Sequence, residues 1–500
     1  MNELLIVREA LDLFEQKNIT YCHWKSNEHV KEGLCGITDL DILVDHNQKQ
    51  KVYELLVSCG YKFFVATFGI KYQGIEDFIG LDESTGKIVH LHMHYQMTLG
   101  EKYLKGYCLP WDKVILETRK WDPENRIYIS DPNVELILLL VRAALKWSLR
   151  NRVSSALGKK YFRGDFKREY LWLLERIEKS KFDSYCRQLL GMDENQLYSK
   201  LVGETFVMHE FMKFRRLVLK RLAPYKTYRR TAAIFWKSVR ELSFTFSVFR
   251  KKYLKMDVPV RRTLPTGGIL VAMIGSDGSG KSTVVKKVVE QFSWKIDATH
   301  VYFGSGGGKS SLLRYPLKVA RGLFLKAPGS KQGGNSSVRT AAKAPSTNKS
   351  SLFYQAAKLF WALTLWREKK QKLRSAWKNR QSGMVVITDR YPQTQVKGIN
   401  DGPLLSQWLN HRNKWLRSFA SKELKAYQSA EGRAPDLVIR LNVTPEIAAS
   451  RKNDMTFEEF TKKIEVVRSL EFKTKVVEVD ATKPLNEVLL EVKKAIWAQI

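Results

Sequence analysis

The run Gly275-Ser-Asp-Gly-Ser-Gly-Lys-Ser-Thr283 constrains the fold of this chain more than any other feature of its sequence. It follows the apolar run GILVAMIG and opens a stretch with helical periodicity, TVVKKVVEQF. This is the G-x-x-x-x-G-K-[ST] pattern between a strand and a helix, the context that the pattern requires. Glycines let backbone N–H groups turn inward toward phosphate oxygens, at the positive end of the following helix. The sequence therefore predicts a phosphate-binding loop made of Gly275, Ser276, Asp277, Gly278, Ser279, Gly280, Lys281, Ser282 and Thr283.

Two side chains of this loop are expected to act on the bound phosphates. Lys281 can reach the β and γ phosphates of a nucleotide, and the hydroxyl of Ser282 can ligate Mg²⁺. We therefore expect ATP and Mg²⁺ as cofactors, with Lys281 among the catalytic residues. A chance glycine-rich turn is the alternative, but the strand before the loop and the helix after it favour the functional interpretation.

Further apolar runs predict the rest of a parallel sheet. The strand candidates are MVVITD (384–389), DLVIRLNV (436–443) and KVVEVDA (475–481), with helical stretches between them. Strands that are apolar on both faces and alternate with helices are typical of a parallel sheet covered by helices. The predicted fold class is therefore α/β, with a doubly wound parallel sheet. Residues 326–351 are rich in Gly, Ser, Ala and Lys and predict a mobile insertion within it.

The loop, VVITDRY, APDLVIRLNVTPEIAASRK and VEVDAT follow one another in an order and spacing that resembles the thymidylate kinase family. The resemblance covers residues 267–500. It implies transfer of the γ-phosphoryl group of ATP to a nucleoside monophosphate such as dTMP, and a dimer. By position, Asp389 would lie near the metal, Arg390 would touch the phosphates of donor and acceptor, and Arg451 would contact the nucleotide. Elementary chemistry agrees, because a carboxylate holds Mg²⁺ while a guanidinium neutralises charge on the transferred oxygens.

Two departures from the family pattern leave the phosphoryl acceptor open. The stretch between the loop helix and Asp389 is enlarged, and KNDMTFEEF after Arg451 lacks the arginines of a typical lid. The family's acceptor pocket forms largely in the first of these regions. A phosphorylated glycan, a lipid-linked sugar or another nucleotide is therefore an alternative to dTMP. The rival functional class is an ATP-binding regulatory or scaffold protein that does not turn ATP over.

A second candidate site lies near the N-terminus. Asp39 and Asp41 flank one residue at the start of the apolar run LDILV. Carboxylates two residues apart on a strand share a face, where they can hold one or two divalent metals. We therefore count both among the predicted catalytic and metal-binding residues. Two solvated acids at a strand end are the alternative.

The residues around these acids resemble the nucleotidyltransferase superfamily over about 100 residues. There, a Gly-Ser turn precedes an Asp-x-Asp strand, and here Lys25 replaces the glycine before Ser26. The likeness is greatest to proteins of surface-polysaccharide gene clusters. In place of a third carboxylate, the run IVHLHMHY offers His90, His92 and His94. These histidines could coordinate a transition metal with the two acids, or form a polar strand face satisfied by its neighbours.

The chain divides into three predicted blocks. Residues 1–125 mix helix and strand patterns and form the nucleotidyltransferase-like domain, whereas 126–260 read as a helical, basic region. The helix DPNVELILLLVRAALKW opens this region, with Ser130 and Asp131 as possible caps. Proline and glycine in DVPVRRTLPTGG mark the boundary before the kinase-like block, 261–500.

The chain is strongly basic, with 85 Lys and Arg against 51 Asp and Glu. Residues 205–262 and 300–380 carry most of this excess, and 215–255 interleaves basic with aromatic side chains. That composition is typical of a helix on an anionic membrane surface; nucleic acid ranks lower, because no RNA-binding signature accompanies it. The alternative, which involves no membrane or nucleic acid, is that these helices pack against the kinase-like domain with a basic outer face. No apolar run is long enough to span a bilayer. Five scattered cysteines and an N-terminus unlike a secretory signal predict a cytoplasmic protein, with possible peripheral attachment at the inner membrane face.

Overall fold

The computed structural model describes residues 2–147, 164–191, 208–304, 352–396, 402–452 and 455–500. The chain divides into two compact units, Met1–Arg262 and Thr263–Ile500. The first is built on an eight-stranded sheet and the second on a five-stranded parallel sheet, each with helices. The predicted multidomain α/β fold class is therefore confirmed. The finer division at residues 125 and 260 remains a prediction.

The first unit contains a mixed sheet and a two-stranded sheet within its described residues. In chain order its strands are β1 (Tyr21–His23), β2 (Leu40–Val44), β3 (Lys62–Ala66), β4 (Ile75–Leu81), β5 (Ile88–His94), β6 (Met97–Glu101), β7 (Leu104–Leu109), β8 (Lys120–Asp122), β9 (Ile127–Ile129) and β10 (Arg262–Thr263). The large sheet has the order β10-β3-β4-β5-β2-β1-β9-β8, and β6 pairs with β7. Strands β2 and β5 are parallel neighbours at its centre, which brings together two polar motifs that lie far apart in sequence.

Helices cover this sheet and extend the unit. They are α1 (Leu5–Gln16), α2 (Val30–Leu34), α3 (Lys49–Ser58), α4 (Asp112–Glu117), α5 (Pro132–Lys146), α6 (Asp165–Leu174), α7 (Lys179–Leu190), α8 (Met208–Arg221) and α9 (Arg230–Lys252). Short 3-10 helices span Asn27–His29, His46–Gln48 and Ala223–Tyr225. Helix α5 is buried along most of its length, and the carboxylate of Asp131 caps it by accepting the N–H of Asn133. One apolar core lies around α5, and a second lies between α1, α3 and the large sheet.

The second unit has the strands β11 (Ile269–Gly275), β12 (Ala298–Tyr302), β13 (Val385–Asp389), β14 (Leu437–Asn442) and β15 (Val476–Asp480). Their order is β12-β13-β11-β14-β15, and all four pairings are parallel. Later strands are added on both sides of β11, so the loop after β11 opens in the crevice where sites form in open α/β sheets. The three strand candidates after the loop are confirmed, and β12 is an additional strand that the sequence reading did not identify.

The helices of the second unit are α10 (Lys281–Phe292), α11 (Leu352–Gln381), α12 (Lys414–Glu431), α13 (Pro445–Arg451), α14 (Phe457–Ser469) and α15 (Leu485–Gln499), with a 3-10 helix at Ser406–Trp408. The insertion predicted at 326–351 lies outside the described residues. Within the described part of the chain, none of the helices combines the length and the apolar character needed to cross a bilayer.

Candidate functional site

The glycine-rich loop joins the end of β11 at Gly275 to the start of α10 at Lys281. Gly278 and Gly280 have φ angles of +81° and +80°, a left-handed conformation that glycine adopts without steric cost. A Cβ at Gly278 would also lie 2.7 Å from the carbonyl oxygen of Ala448 in α13. The loop is thus shaped by its glycines and closed on one side by a helix 170 positions later in the chain.

Lys281 is buried and is held over the loop. Its Nζ donates to the carbonyl oxygen of Ser276 at 2.6 Å and lies 3.4 Å from Oγ of Ser279. Burial and the positive charge of Arg390 lower the pKa of Lys281 to about 8, although Asp389 acts in the opposite direction. An ammonium group in these surroundings is stabilised by anions, and phosphate oxygens supply that charge.

Ser282 and Asp389 form the part of the site that fits a divalent cation. The hydroxyl of Ser282 donates to Oδ2 of Asp389 at 2.7 Å. Asp389 is 1% exposed, and among the described residues its Oδ1 has no hydrogen-bond partner. A buried carboxylate oxygen without a partner is costly, and a hydroxyl with a carboxylate is the hard oxygen donor set that Mg²⁺ prefers. These two residues therefore fit the predicted metal.

Arg390 follows Asp389 in an unusual backbone conformation. Its φ angle is +73°, which costs a non-glycine residue free energy and recurs at functional sites. Its backbone N–H donates to the carbonyl oxygen of Met273 at 2.9 Å, which ties this turn to the central strand β11. Its guanidinium lies 3.6 Å from the carboxylate of Asp277, so the turn after β13 and the loop after β11 face each other.

Asp277 is surrounded by cations. Nζ of Lys463 lies 2.5 Å from its Oδ2, and Nζ of Lys452 lies 3.8 Å from its Oδ1. Burial raises the pKa of Asp277, but the hydrogen bond and charge of Lys463, with Lys281 and Arg390, outweigh this and lower it to about 2. Sequence reasoning missed both lysines. Lys452 directly follows Arg451, in the stretch that was interpreted only for its missing arginines, and Lys463 lies beyond that stretch in α14.

Arg451 is the last residue of α13 and is exposed. Its guanidinium donates to the backbone carbonyl of Ala481 at 3.0 Å, at the end of β15. The helix that carries it reaches the loop through Ala448 rather than through this side chain. The predicted nucleotide contact of Arg451 therefore remains a prediction.

A cationic cavity lies between α11 and α12, and Pro392, just after the Asp389–Tyr391 turn, lines it. Its remaining lining combines six basic residues with apolar and aromatic side chains, and no acidic residue is among them. The basic residues are Lys369, Lys370, Arg374, Lys422, Lys425 and Arg433. A cavity with this charge attracts an anionic ligand.

In the first unit, Asp41 lies opposite His92 across the parallel pair β2 and β5. Three nitrogen atoms converge on its Oδ1: Nζ of Lys25 at 2.8 Å, Nδ1 of His92 at 3.1 Å and Nε2 of His94 at 3.2 Å. Burial raises the pKa of Asp41, but Lys25 and the two histidines outweigh this and hold it well below its usual range. Burial also lowers the pKa values of His92 and His94.

Asp39 has a different partner from Asp41, although the two share a strand face. Its Oδ2 lies 3.0 Å from Nδ1 of His90, whose Nε2 lies 2.8 Å from Oδ1 of Asp77. Arg262 closes this chain, with Nε 2.9 Å from Oδ1 of Asp77. The structure thus brings both predicted acids to the histidine strand but gives each its own contacts. Asp77 on β4 is an additional carboxylate, and no sequence motif marked it.

The turn at Ser26 and Asn27, which precedes Asp39 and Asp41 in the sequence, is hydrogen-bonded to two glutamates of later helices. Ser26 donates its N–H and its hydroxyl to the carboxylate of Glu169 at 3.2 and 3.3 Å, and the N–H of Asn27 donates to Glu135 at 3.0 Å. Burial and the nearby Glu169 raise the pKa of Glu135 to about 8. Carboxylates of the helical region therefore take up the backbone donors of a turn that, by resemblance, would face a nucleotide.

Comparison with models of known protein families gives no match, so the resemblance to thymidylate kinases remains a prediction. Comparison with individual proteins does identify relatives. The chain is 31% identical to "Uncharacterized ATP-binding protein YghS" of Escherichia coli (strain K12) over 233 residues, 46% of this chain and 93% of that protein. It is 32% identical to "Uncharacterized ATP-binding protein YghR" of the same strain over 235 residues, 45% of this chain and 86% of that protein. With most of each relative's length matched above 30% identity, the chain belongs to the same family as YghS and YghR.

Proposed function

We propose that the second unit binds ATP with Mg²⁺ and transfers its γ-phosphoryl group to an anionic acceptor. The names of the relatives supply the nucleotide, since both are called ATP-binding proteins. The observation that carries the proposal is the hydrogen bond from Ser282 to Asp389, beside the buried Oδ1 of that carboxylate. The two residues come from the helix after the loop and from the end of the adjacent strand, where a nucleotide kinase holds its metal.

Each proposed role follows from position and charge. Lys281 releases the carbonyl of Ser276 and turns to the β and γ phosphates, while backbone N–H groups of the loop bind their oxygens. Ser282 and Asp389 hold Mg²⁺, which neutralises phosphate charge when bound. The Arg390 guanidinium stabilises charge on the transferring group. Arg451 is proposed to contact the nucleotide from α13.

The acceptor is proposed to be phosphorylated. The cationic cavity beside Pro392 supports this class, because its six basic residues are matched by no acid in its lining. A nucleoside monophosphate such as dTMP and a phosphorylated glycan of surface-polysaccharide synthesis both carry the required charge. The first unit is proposed to be a nucleotidyltransferase-like domain.

The test is transfer of label from γ-³²P-ATP to a panel of acceptors: nucleoside monophosphates, sugar phosphates and lipid-linked sugar phosphates. We expect transfer to at least one anionic acceptor with wild-type protein and Mg²⁺, and none with Asp389→Asn. Asp480→Asn is the matched control, because Asp480 is an exposed acid at the end of another strand of the same sheet. Tight ATP binding without transfer to any acceptor would instead support the regulatory or scaffold alternative.

We also propose that helix α9 docks on an anionic membrane. One side of α9 packs within the first unit, where Lys237 pairs with Glu101 and Arg240 donates to the carbonyl of Lys71. The other side carries a stripe of four apolar side chains, 45–69% exposed: Phe235, Leu242, Phe246 and Phe249. The helix holds six basic residues against Glu241. A second copy of α9 would repel this charge, whereas anionic lipid attracts it and accepts the aromatic stripe.

Vesicle flotation tests this docking. We expect the protein to float with phosphatidylserine-containing vesicles, less at high salt, and to be lost from them in the Leu242→Ser, Phe246→Ser variant. Trp415→Ser, which removes a still more exposed ring from the second unit, is the control. Equal recovery on neutral vesicles, or a concentration-dependent dimer abolished by the double substitution, would contradict the membrane as the partner.

A further inference from the structure

We infer that Asp41, His92 and His94 form a binding site for a transition-metal ion such as Zn²⁺, separate from the Mg²⁺ site proposed in the second unit. The candidate ligand atoms are Oδ1 of Asp41, Nδ1 of His92 and Nε2 of His94, which all lie within 4.8 Å of one another. Two come from one strand and the third from its parallel neighbour, so a rigid sheet sets their positions.

Two of the three distances between these atoms match those of a tetrahedral metal site. Metal–ligand bonds of about 2.0–2.1 Å at tetrahedral angles place neighbouring ligand atoms about 3.3 Å apart. The two histidine nitrogens lie 3.1 and 3.2 Å from the Asp41 oxygen. Three protein ligands leave the fourth position to water or to a substrate group, as in catalytic rather than structural zinc sites.

The hydrogen-bond count around Asp41 supports the same conclusion. One carboxylate oxygen accepts about two good hydrogen bonds, yet Lys25 and both histidines approach Oδ1. His94 is fully buried, its ring packs edge-on against Trp24, and its Nδ1 has no partner among the described residues. Two imidazole nitrogens and an ammonium crowded on one carboxylate oxygen exceed its hydrogen-bonding capacity, and a metal ion shared by the oxygen and the two imidazoles would use all three atoms as ligands.

The donor set also selects the class of metal. Two imidazole nitrogens and one carboxylate are typical of Zn²⁺ and its neighbours, whereas Mg²⁺ takes oxygen ligands. Asp39 is not among the ligands, since its carboxylate lies against His90. Through His90, Asp39 is linked to Asp77 on β4. This refines the pair of acids predicted from the sequence to one acid with two histidines.

Lys25 supplies a sharp test, because its ammonium is the cation now paired with Asp41. Metal binding must displace Lys25 from Oδ1, so the lysine competes with the metal. We therefore expect Lys25→Met to tighten Zn²⁺ binding, while a purely structural ion-pair network would only be weakened by this change.

The experiment is calorimetric titration of the full-length protein, stripped with EDTA, with Zn²⁺ and then Co²⁺. We expect one equivalent of Zn²⁺ with an affinity that excess Mg²⁺ does not change, and the visible absorption of tetrahedral Co²⁺ without thiolate charge-transfer bands. His92→Ala and His94→Ala should each weaken Zn²⁺ binding at least tenfold. His46→Ala, at an exposed histidine of the same unit, is the matched control and should bind as wild type does.

Circular dichroism of the metal-free variants checks that each is folded. His92 lies at the edge of the site and is partly exposed, so its variant keeps the test valid if His94→Ala does not fold. Failure of wild type to bind Zn²⁺, unchanged binding in His92→Ala, or weaker binding in Lys25→Met would each overturn the inference. None of these results depends on ATP use, so the proposed phosphotransferase activity stands or falls separately.

Discussion

The two candidate sites hold their central carboxylates in opposite surroundings. In the second unit, Asp389 is buried with one oxygen that accepts from Ser282 and another that has no hydrogen-bond partner among the described residues. In the first unit, one oxygen of Asp41 is approached by three nitrogen atoms. A carboxylate short of donors suits a hard cation that brings its own water, whereas one crowded by nitrogens suits a metal that binds imidazole. The comparison therefore predicts different metals and different responses to the same substitution.

The largest expected effect is on nucleotide binding by Lys281→Ala. This change removes a buried cation aimed across the loop, and truncating such a partner of a charged ligand costs about 2–5 kcal/mol. ATP affinity or turnover should fall on the order of 100-fold or more, measured by calorimetry and phosphoryl transfer. Lys287→Ala removes an exposed lysine of the same helix and should behave as wild type. ATP-dependent activity that survives unchanged in Lys281→Ala would refute the kinase interpretation.

The second prediction makes the same substitution at both carboxylates. Asp41→Asn removes the partner of Lys25, a largely buried ion pair, and should lower the free energy of unfolding by roughly 3–5 kcal/mol. Asp389→Asn instead removes a buried charge that lacks a full set of partners, so it should leave stability in EDTA unchanged or higher.

Thermal unfolding of both variants beside wild type, in EDTA and again with Mg²⁺, measures this contrast. Mg²⁺ should stabilise wild type and Asp41→Asn but not Asp389→Asn. If both variants lose the same stability in EDTA, the two carboxylates are not in the opposite surroundings described above.

A smaller effect separates two glycines of the loop. Ala at Gly278 must adopt φ near +81° and also place its Cβ 2.7 Å from the backbone of Ala448, whereas at Gly280 a Cβ meets nothing within 4 Å. Gly280→Ala should cost about 1–2 kcal/mol of stability from conformation alone, and Gly278→Ala should cost more. Denaturant unfolding decides the order. A larger loss at Gly280 would mean that α13 does not pack on the loop.

The same comparison explains how much could be predicted from the sequence. Nine contiguous residues make the loop, and their own backbone shapes it, so the local pattern predicted the strand, the turn and the helix around it. Asp389 ends the apolar run VVITD, and its role was predicted from the family resemblance. The pairing of its strand with the loop strand came from the structure. Lys463 lies 186 positions from Asp277, and only the packing of α14 brings it there, so no local pattern marks it.

The site of the first unit depends on strand register, and the sequence signal for register is weaker than the signal for the phosphate-binding loop. The alternation of His90, His92 and His94 predicted one polar face, and Asp39 with Asp41 predicted another. Which histidine meets which acid follows from the pairing of β2 with β5, since a one-residue slip would turn the side chains to the opposite face. Lys25 was noticed only as a departure from a family pattern. Its contact with Asp41 needed the folded chain.

The smallest predicted effect is the pH dependence of ATP binding, which we expect to arise from Lys281 of the phosphate-binding loop. Burial and Arg390 lower the pKa of Lys281 to about 8, against the opposing charges of Asp389 and Asp277, and Lys452 lowers it further. The lysine is therefore charged below pH 8 and loses its proton above it. Since the ammonium form binds phosphate, ATP affinity should be constant below pH 8 and fall by up to about tenfold per pH unit above it.

The free energy of unfolding should change with pH in the opposite direction to ATP affinity. A lysine whose pKa is lower in the folded than in the unfolded protein binds fewer protons when folded, so the free energy of unfolding should rise between pH 8 and the ordinary lysine pKa. ATP titrations and unfolding across this range, in wild type and in Lys281→Ala, separate the two effects. The variant should lose the slope in ATP affinity and the part of the stability slope that comes from Lys281. Lys105 and Lys146 of the first unit, whose pKa values burial lowers to about 7 and about 8, should keep a stability slope of the same sign in both proteins. If affinity stays constant through pH 9 in wild type, the ammonium of Lys281 does not meet the nucleotide phosphates.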